Sequence, residues 1–141
     1  MISASIAEEL RSIVGDEWFL DTPEDLATYS YDGFLPEYLP DGVIIPGSTE
    51  EISKIMKVAN REKINIVPRG AGTNICGSSV AREGGIIMAF HRMNKILEID
   101  PEDMCAVVQP GVVNADLQRE VATYGLMYPP DPASMFVSTI G

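Results

Sequence analysis

The sequence predicts an α+β fold with a mixed sheet, and three observations carry that expectation. Capped amphipathic helical stretches alternate with apolar runs of strand length, and Gly and Pro punctuate the joints. Midway along the chain, a glycine-rich loop leaves a strand without opening into a helix.

The elements follow in order. Ser5 and Glu8 have capping-box spacing, with Ile6, Leu10, Ile13 and Val14 on one helical face and Gly15 as the stop. Thr22 caps a second short helix, with Pro23 at its first position and Glu24 and Asp25 complementing the dipole. Residues 29–40 are rich in aromatics, Gly and Pro and read as a long loop, which closes an amino-terminal segment over residues 1–40. Val43 to Ile45 is a short strand. Ser48 and Glu51 cap a helix whose expected buried stripe is Ile52, Ile55, Met56 and Ala59. Ile64 to Val67 is the next strand, ended by Pro68. The pair forms a β-α-β unit whose strands should be parallel, with a right-handed crossover.

Three further strand-like runs span Gly85 to Phe90, Ile96 to Ile99 and Ala106 to Gln109. Asn114 is placed to cap a helix bearing Leu117, Val121 and Tyr124, with Gly125 at its stop. Pro129, Pro130 and Pro132 make the tail extended coil. Ile140-Gly141 lacks a cap or charged tail and reads as a cut end.

With 141 residues the chain has enough material for a real core, so folding needs neither disulfide nor structural metal. A formal charge of −11 excludes a nucleic-acid or anionic-membrane surface, which requires clustered Lys and Arg. A small anionic ligand remains compatible, because backbone N–H groups and one Arg suffice for a pyrophosphate. Cys76 and Cys105 show no metal or redox spacing and read as reduced thiols of a cytoplasmic protein. No apolar run approaches the ~20 residues that cross a bilayer. The first ten residues include Glu8 and Glu9 and lack the basic start of a signal peptide. Asp100, Glu102 and Asp103 surround Pro101 and read as a solvated turn rather than an acid cluster. His91, the sole histidine, reads as a solvated residue at a strand end rather than a ligand or base.

The stretch from Pro68 to Ser79 carries the chemistry. Gly70, Gly72 and Gly77 let the backbone approach a ligand closely, and Arg69, Thr73, Asn74, Ser78 and Ser79 add donors. Two familiar phosphate loops fail here. The dinucleotide pattern G-x-G-x-x-G begins at Gly70 and Gly72 but meets Ile75 at its third glycine. The Walker pattern from Gly72 to Gly77 has Ser78 where Lys is required. On the loop alone, a purely structural glycine turn stays open.

Its neighbours supply a resemblance. Pro68-Arg69-Gly70-Ala71-Gly72-Thr73-Asn74 resembles the pyrophosphate loop of FAD-linked oxidases of the vanillyl-alcohol oxidase and p-cresol methylhydroxylase superfamily. Val107 to Val112 followed by Leu117 is similar to the strand, turn and helix that come after that loop. Tyr128 to Ser134 and Ser138 to Gly141 look like the start of the second flavin-contacting stretch. The glycolate oxidase D-subunit and D-lactate dehydrogenase branch is the nearest match, over Asp21 to Gly141.

The resemblance implies an FAD-binding domain of the PCMH type, of which residues 41–141 are the incomplete amino-terminal portion. It implies that Arg69, Gly70, Ala71, Gly72, Thr73, Asn74, Gly77 and Ser78 wrap the FAD pyrophosphate. It places Pro130, Asp131, Ser134, Ser138, Thr139 and Gly141 along the flavin and its ribityl chain. Covalent flavin attachment through a loop His is not expected, because Asn74 and Cys76 stand there. The implied activity is hydride transfer from a 2-hydroxy acid to FAD, with electrons passed to a protein or quinone acceptor. The catalytic and substrate-clamping residues lie beyond this chain, as does any contact with an electron-transfer subunit. A non-enzymatic FAD or nucleotide module, completed by another chain, is the competing reading. A fragment should self-associate through its uncovered apolar surface.

Overall fold

The computed structural model describes residues 2–33 and 36–141. Helix α1 (Ala4–Val14) begins at Ser3, whose hydroxyl accepts from the Ile6 amide at 3.4 Å. The cap is therefore Ser3 and not Ser5, which lies inside the first turn. Gly15 stops the helix at φ 92°, as expected. A 3-10 turn (Asp16–Trp18) leads into β1 (Phe19–Leu20), and α2 (Pro23–Thr28) starts at its expected cap, Thr22. Of the expected loop 29–40, Phe34 and Leu35 lie outside the described residues.

The sheet core follows. Strand β2 (Gly42–Ile44) precedes α3 (Thr49–Glu62), capped by Ser48 as expected, and β3 (Ile66–Arg69) and β4 (Ile86–Ala89) complete a four-stranded sheet. Its order is β1-β2-β4-β3, with β1 antiparallel and the other three mutually parallel. The expected β-α-β unit forms, but β4 inserts between its two strands and pairs with both. Pro68 does not end β3; it sits within it, at the sheet edge where a missing N–H is tolerated.

Strand β4 is apolar on every residue because it is buried on both faces: Ile86, Ile87, Met88 and Ala89 are at most 2% exposed. On one face Ile86 and Met88 pack with Leu10 and Val14 of α1 and Ile55 and Val58 of α3. On the other, Ile87 and Ala89 pack with Val43, Ile45 and Ala81. Helix α3 turns Ile55, Val58 and Ala59 inward, so Val58 replaces Met56 in the expected stripe, and Met56 is exposed.

Strands β5 (Ile96–Asp100) and β6 (Cys105–Val108) form a separate antiparallel hairpin. Asp100 Oδ1 accepts from the amides of Glu102 and Asp103 at 2.9 and 3.0 Å, so the acidic residues make the expected turn. Helix α4 (Asn114–Ala122) packs Leu117 and Val121 with Val112 against this hairpin. Its cap position is Val113, not Asn114, and no side chain caps it. Tyr124 falls beyond the helix and is exposed. The tail is not extended coil throughout. Residues 133–137 curl into a turn in which Ser134 C=O accepts from Val137 and Ser138 N–H at 2.8 and 2.7 Å. No helix among the described residues is long and apolar enough to cross a membrane.

The two neighbouring α3 positions give a direct check on this packing. Ile55→Ala should lower unfolding free energy by about 2–5 kcal/mol, because a fully buried side chain leaves a cavity. Met56→Ala should cost less than about 1 kcal/mol. Urea denaturation of both variants decides, and equal losses would contradict the helix orientation.

Candidate functional site

The glycine loop begins where β3 ends. Gly72 and Gly77 hold φ of 69° and 70°, left-handed conformations that glycine adopts without strain. Gly70 is required for a different reason. A Cβ there would run into Thr139 Oγ1 and the Gly141 carbonyl, so the loop backbone lies directly against the Thr139 side chain and the Gly141 backbone. Ala71 N–H donates to Thr139 Oγ1 at 3.2 Å, and Thr139 Oγ1 donates on to Gly141 C=O at 3.0 Å.

Thr139 and Gly141 are fixed from behind. Ile140 N–H donates to Val112 C=O at 2.9 Å, and Gly141 N–H to Pro110 C=O at 2.8 Å. Gly111 in turn packs on the end of β4, where a Cβ would stand 2.7 Å from Met93 O and closer still to Phe90 O. The α4 amides of Asn114 and Ala115 donate to Ser138 and Met135 carbonyls at 2.9 and 3.0 Å, so this helix start holds the turn at 133–137.

Between loop and tail lies a hollow of about 210 Å³, walled by Pro68, Gly70, Ala71, Gly72, Thr73, Asn74, Ser78, Ser79, Thr139 and Gly141. Eight of the residues expected from sequence meet here: Gly70, Ala71, Gly72, Thr73, Asn74, Ser78, Thr139 and Gly141. Pro68 and Ser79 join them. Ser79 lay in the polar run already singled out, and Pro68 preceded it directly.

The other expected residues stand elsewhere. Gly77 makes the turn that returns the chain to Ser78, without lining the hollow. Pro130 and Asp131 are exposed, and Pro130 C=O accepts from Gln118 Nε2 at 2.7 Å. Ser134 and Ser138 belong to the turn before Thr139. Ser138 Oγ is buried without a hydrogen-bond partner among the described residues, which is uncommon for a hydroxyl.

Arg69 does not project into the hollow. It is 7% exposed, its Nη1 donates to Ser79 C=O at 3.1 Å, and its guanidinium lies 5.6 Å from the Tyr29 ring centroid. A Cβ on Gly72 would strike this guanidinium, so Arg69 supports the loop from beneath. Burial draws its pKa down and the Asp32 carboxylate opposes that; a guanidinium stays charged regardless.

His91 lies outside the hollow, its Nε2 3.2 Å from Tyr29 Oη. Its surface is exposed, yet the protein packed around the ring disfavours the imidazolium, and Arg69 adds repulsion, so its pKa falls below the ordinary value.

Asn74 shapes the loop internally. Its Oδ1 accepts from the amides of Cys76 and Ser78 at 3.2 and 3.3 Å. The amides of Gly72, Thr73 and Asn74 donate to no acceptor among the described residues. A row of free N–H groups on a glycine-rich turn suits an anion.

Comparison with known proteins identifies the domain that carries this loop. A family model described as an FAD binding domain matches residues 40–141. The glycolate oxidase subunit GlcD of Bacillus subtilis (strain 168) is 48% identical over 143 residues, covering 100% of this chain and 30% of that protein. The D-lactate dehydrogenase of Anaerostipes hadrus is 36% identical over 132 residues, covering 93% of this chain and 26% of that protein. The crystal structure of p-cresol methylhydroxylase superposes with a TM-score of 0.78 at 24% identity, over 95% of this chain and 27% of that one. The chain thus spans under a third of the length of these relatives. It belongs to the FAD binding domain family, with the PCMH-type fold and FAD as cofactor.

Proposed function

We propose that this chain is the pyrophosphate- and flavin-contacting part of a flavin-dependent 2-hydroxy-acid dehydrogenase or oxidase of the glycolate or D-lactate type. The observation that carries the reading is the hollow between the glycine loop and Thr139–Gly141, with the Gly72–Asn74 amides left to donate. The donor set fits a pyrophosphate. Glycine backbone admits close approach, and Thr73 and Ser78 line the same walls with hydroxyls. The buried, unpartnered Ser138 hydroxyl fits a second polar contact, farther along the flavin.

The chemistry that FAD supplies when bound is acceptance of a hydride from the substrate α-carbon. This chain's residues hold and orient the cofactor. Gly72, Thr73 and Asn74 present N–H groups to the phosphates, Thr139 ties the two walls together, and Arg69 stiffens the loop from below. Pro130, Asp131, Ser134 and Ser138 follow the isoalloxazine and ribityl portion. No catalytic role falls to any of them.

Attachment is non-covalent, since the one histidine lies outside the hollow. Residues 41–141 are then the start of the FAD domain and residues 1–40 its buttress. The substrate-clamping groups and any electron-transfer contact belong to the remaining length of the full enzyme. Two exposed free thiols suit the reducing cytoplasm.

A second reading is a module completed by another chain. Leu97, Met104 and Val107 of the hairpin are 59%, 76% and 49% exposed, which suits either reading, as apolar surface left for the remaining length of the enzyme or for another chain.

Two outcomes are expected. The purified chain binds FAD, read by its visible absorbance after desalting, and Gly72→Val weakens that binding at least tenfold while the circular dichroism stays native. Tenfold corresponds to about 1.4 kcal/mol, less than a blocked pyrophosphate cradle should cost. A folded chain with no FAD affinity, or an unaffected variant, would contradict the assignment of the hollow. Second, static light scattering on the chain alone should show mass rising with concentration, and Val107→Lys should suppress it. A monomer at every concentration contradicts an uncovered interface.

A further inference from the structure

Three residues ahead of the matched family domain touch the underside of the glycine loop. We propose that Tyr29, Asp32 and Gly33 form a brace that holds this loop in its ligand-ready shape, with Asp32 as the principal positioning residue. The FAD consequence rests on the assignment of the hollow above; the ordering of the loop does not.

The contacts form a continuous path. Asp32 Oδ2 accepts from Ser79 Oγ at 3.3 Å, and Ser79 Oγ accepts from Asn74 Nδ2 at 2.7 Å. Asn74 Oδ1 then takes the Cys76 and Ser78 amides. A carboxylate 47 residues from Ser79 therefore fixes, through the Ser79 hydroxyl, the rotamer of Asn74, whose side chain shapes the turn. The bond from Nδ2 to Ser79 orients the Asn74 amide so that Oδ1 faces the Cys76 and Ser78 amides.

A second strut runs beside the first. Gly33 N–H donates to Asn74 C=O at 2.8 Å, which holds the Asn74–Ile75 peptide in one orientation. Only glycine allows that approach, since a Cβ would stand 2.7 Å from Asn74 O and 2.9 Å from Ile75 Cγ2. A third contact is the Tyr29 ring facing the Arg69 guanidinium, whose Nη1 holds Ser79 C=O from the other side. Ser79 is 6% exposed and Arg69 7%, so the centre of the junction is buried, with Asp32 and Asn74 half-buried around it.

Such a brace matters because a glycine-rich loop has the most backbone freedom to lose. Ordering it before the ligand arrives converts that loss into part of folding, and affinity rises accordingly. Asp32 never needs to meet the phosphates, and its negative charge is spent on the Ser79 hydroxyl and on the buried guanidinium field.

The test compares Asp32→Ala, Asp32→Asn and wild type by amide hydrogen exchange on the ligand-free chain, followed by FAD titration. In Asp32→Ala the Cys76 and Ser78 amides should exchange at least tenfold faster, while the Gln109 amide, bonded to Lys95 C=O in the hairpin, keeps its rate. FAD affinity should fall about tenfold, the scale of one lost hydrogen bond to a charged group. Asp32→Asn retains an acceptor and should recover most of both. Unchanged Cys76 and Ser78 exchange in folded Asp32→Ala overturns the brace, and so does faster exchange with undiminished FAD affinity. If wild type itself binds no FAD, the cofactor reading fails, and the exchange ratio alone still decides whether Asp32 orders the loop.

Discussion

Everything in the site depends on the glycine loop meeting the Thr139 hydroxyl and the Gly141 backbone with no side chain of its own between them. Gly70 meets Thr139 and Gly141 at a distance that admits no Cβ. That contact is the last of a series. The Arg69 carbonyl accepts from Phe90, Gly111 packs on the Phe90 and Met93 carbonyls, and Gly141 packs on Pro110. The approaches at Gly111, Gly141 and Gly70 each need a glycine, and together with the Phe90–Arg69 bond they transmit the position of the buried β4 strand to the next segment. The hollow is consequently placed by a strand buried on both faces rather than by exposed side chains.

This arrangement explains how an acidic chain serves an anionic cofactor. The one cation of the loop is turned inward and spent on structure, where Ser79 and Tyr29 receive it. In the proposed site the ligand would face N–H dipoles, which carry no net charge and need no counter-ion. Solvent-exposed Lys or Arg would be screened by salt and mobile, whereas a preorganised amide row keeps its geometry.

Much of this was legible from residue types. Thr22 and Ser48 caps, the β2 and β4 runs and the glycine loop depend on local patterns and appear where those patterns put them, while β3 runs on through Pro68 to Arg69. The misplacements have physical reasons. Ser3 and Ser5 both offer a hydroxyl near a helix start, and only Ser3 has the extended backbone of a cap. Met56 and Val58 both border the apolar stripe of α3, and the lean of the helix on β2 and β4 decides which is buried. The insertion of β4 between β2 and β3 has no local signature, because pairing partners are chosen by the whole sheet. Arg69 was read for its charge, but its direction is set by the space under Gly72. Asp32 carried no signal at all, since its partner is 47 residues away and neither residue belongs to a periodic pattern.

The most direct test of the central claim is a chemical-shift map of the isotopically labelled chain titrated with FAD. The account predicts that the largest perturbations fall on the Gly72, Thr73 and Asn74 amides and on Thr139 to Gly141, with β1 and α3 still. Perturbations confined to the β5–β6 hairpin and α4, with the glycine loop silent, would contradict it.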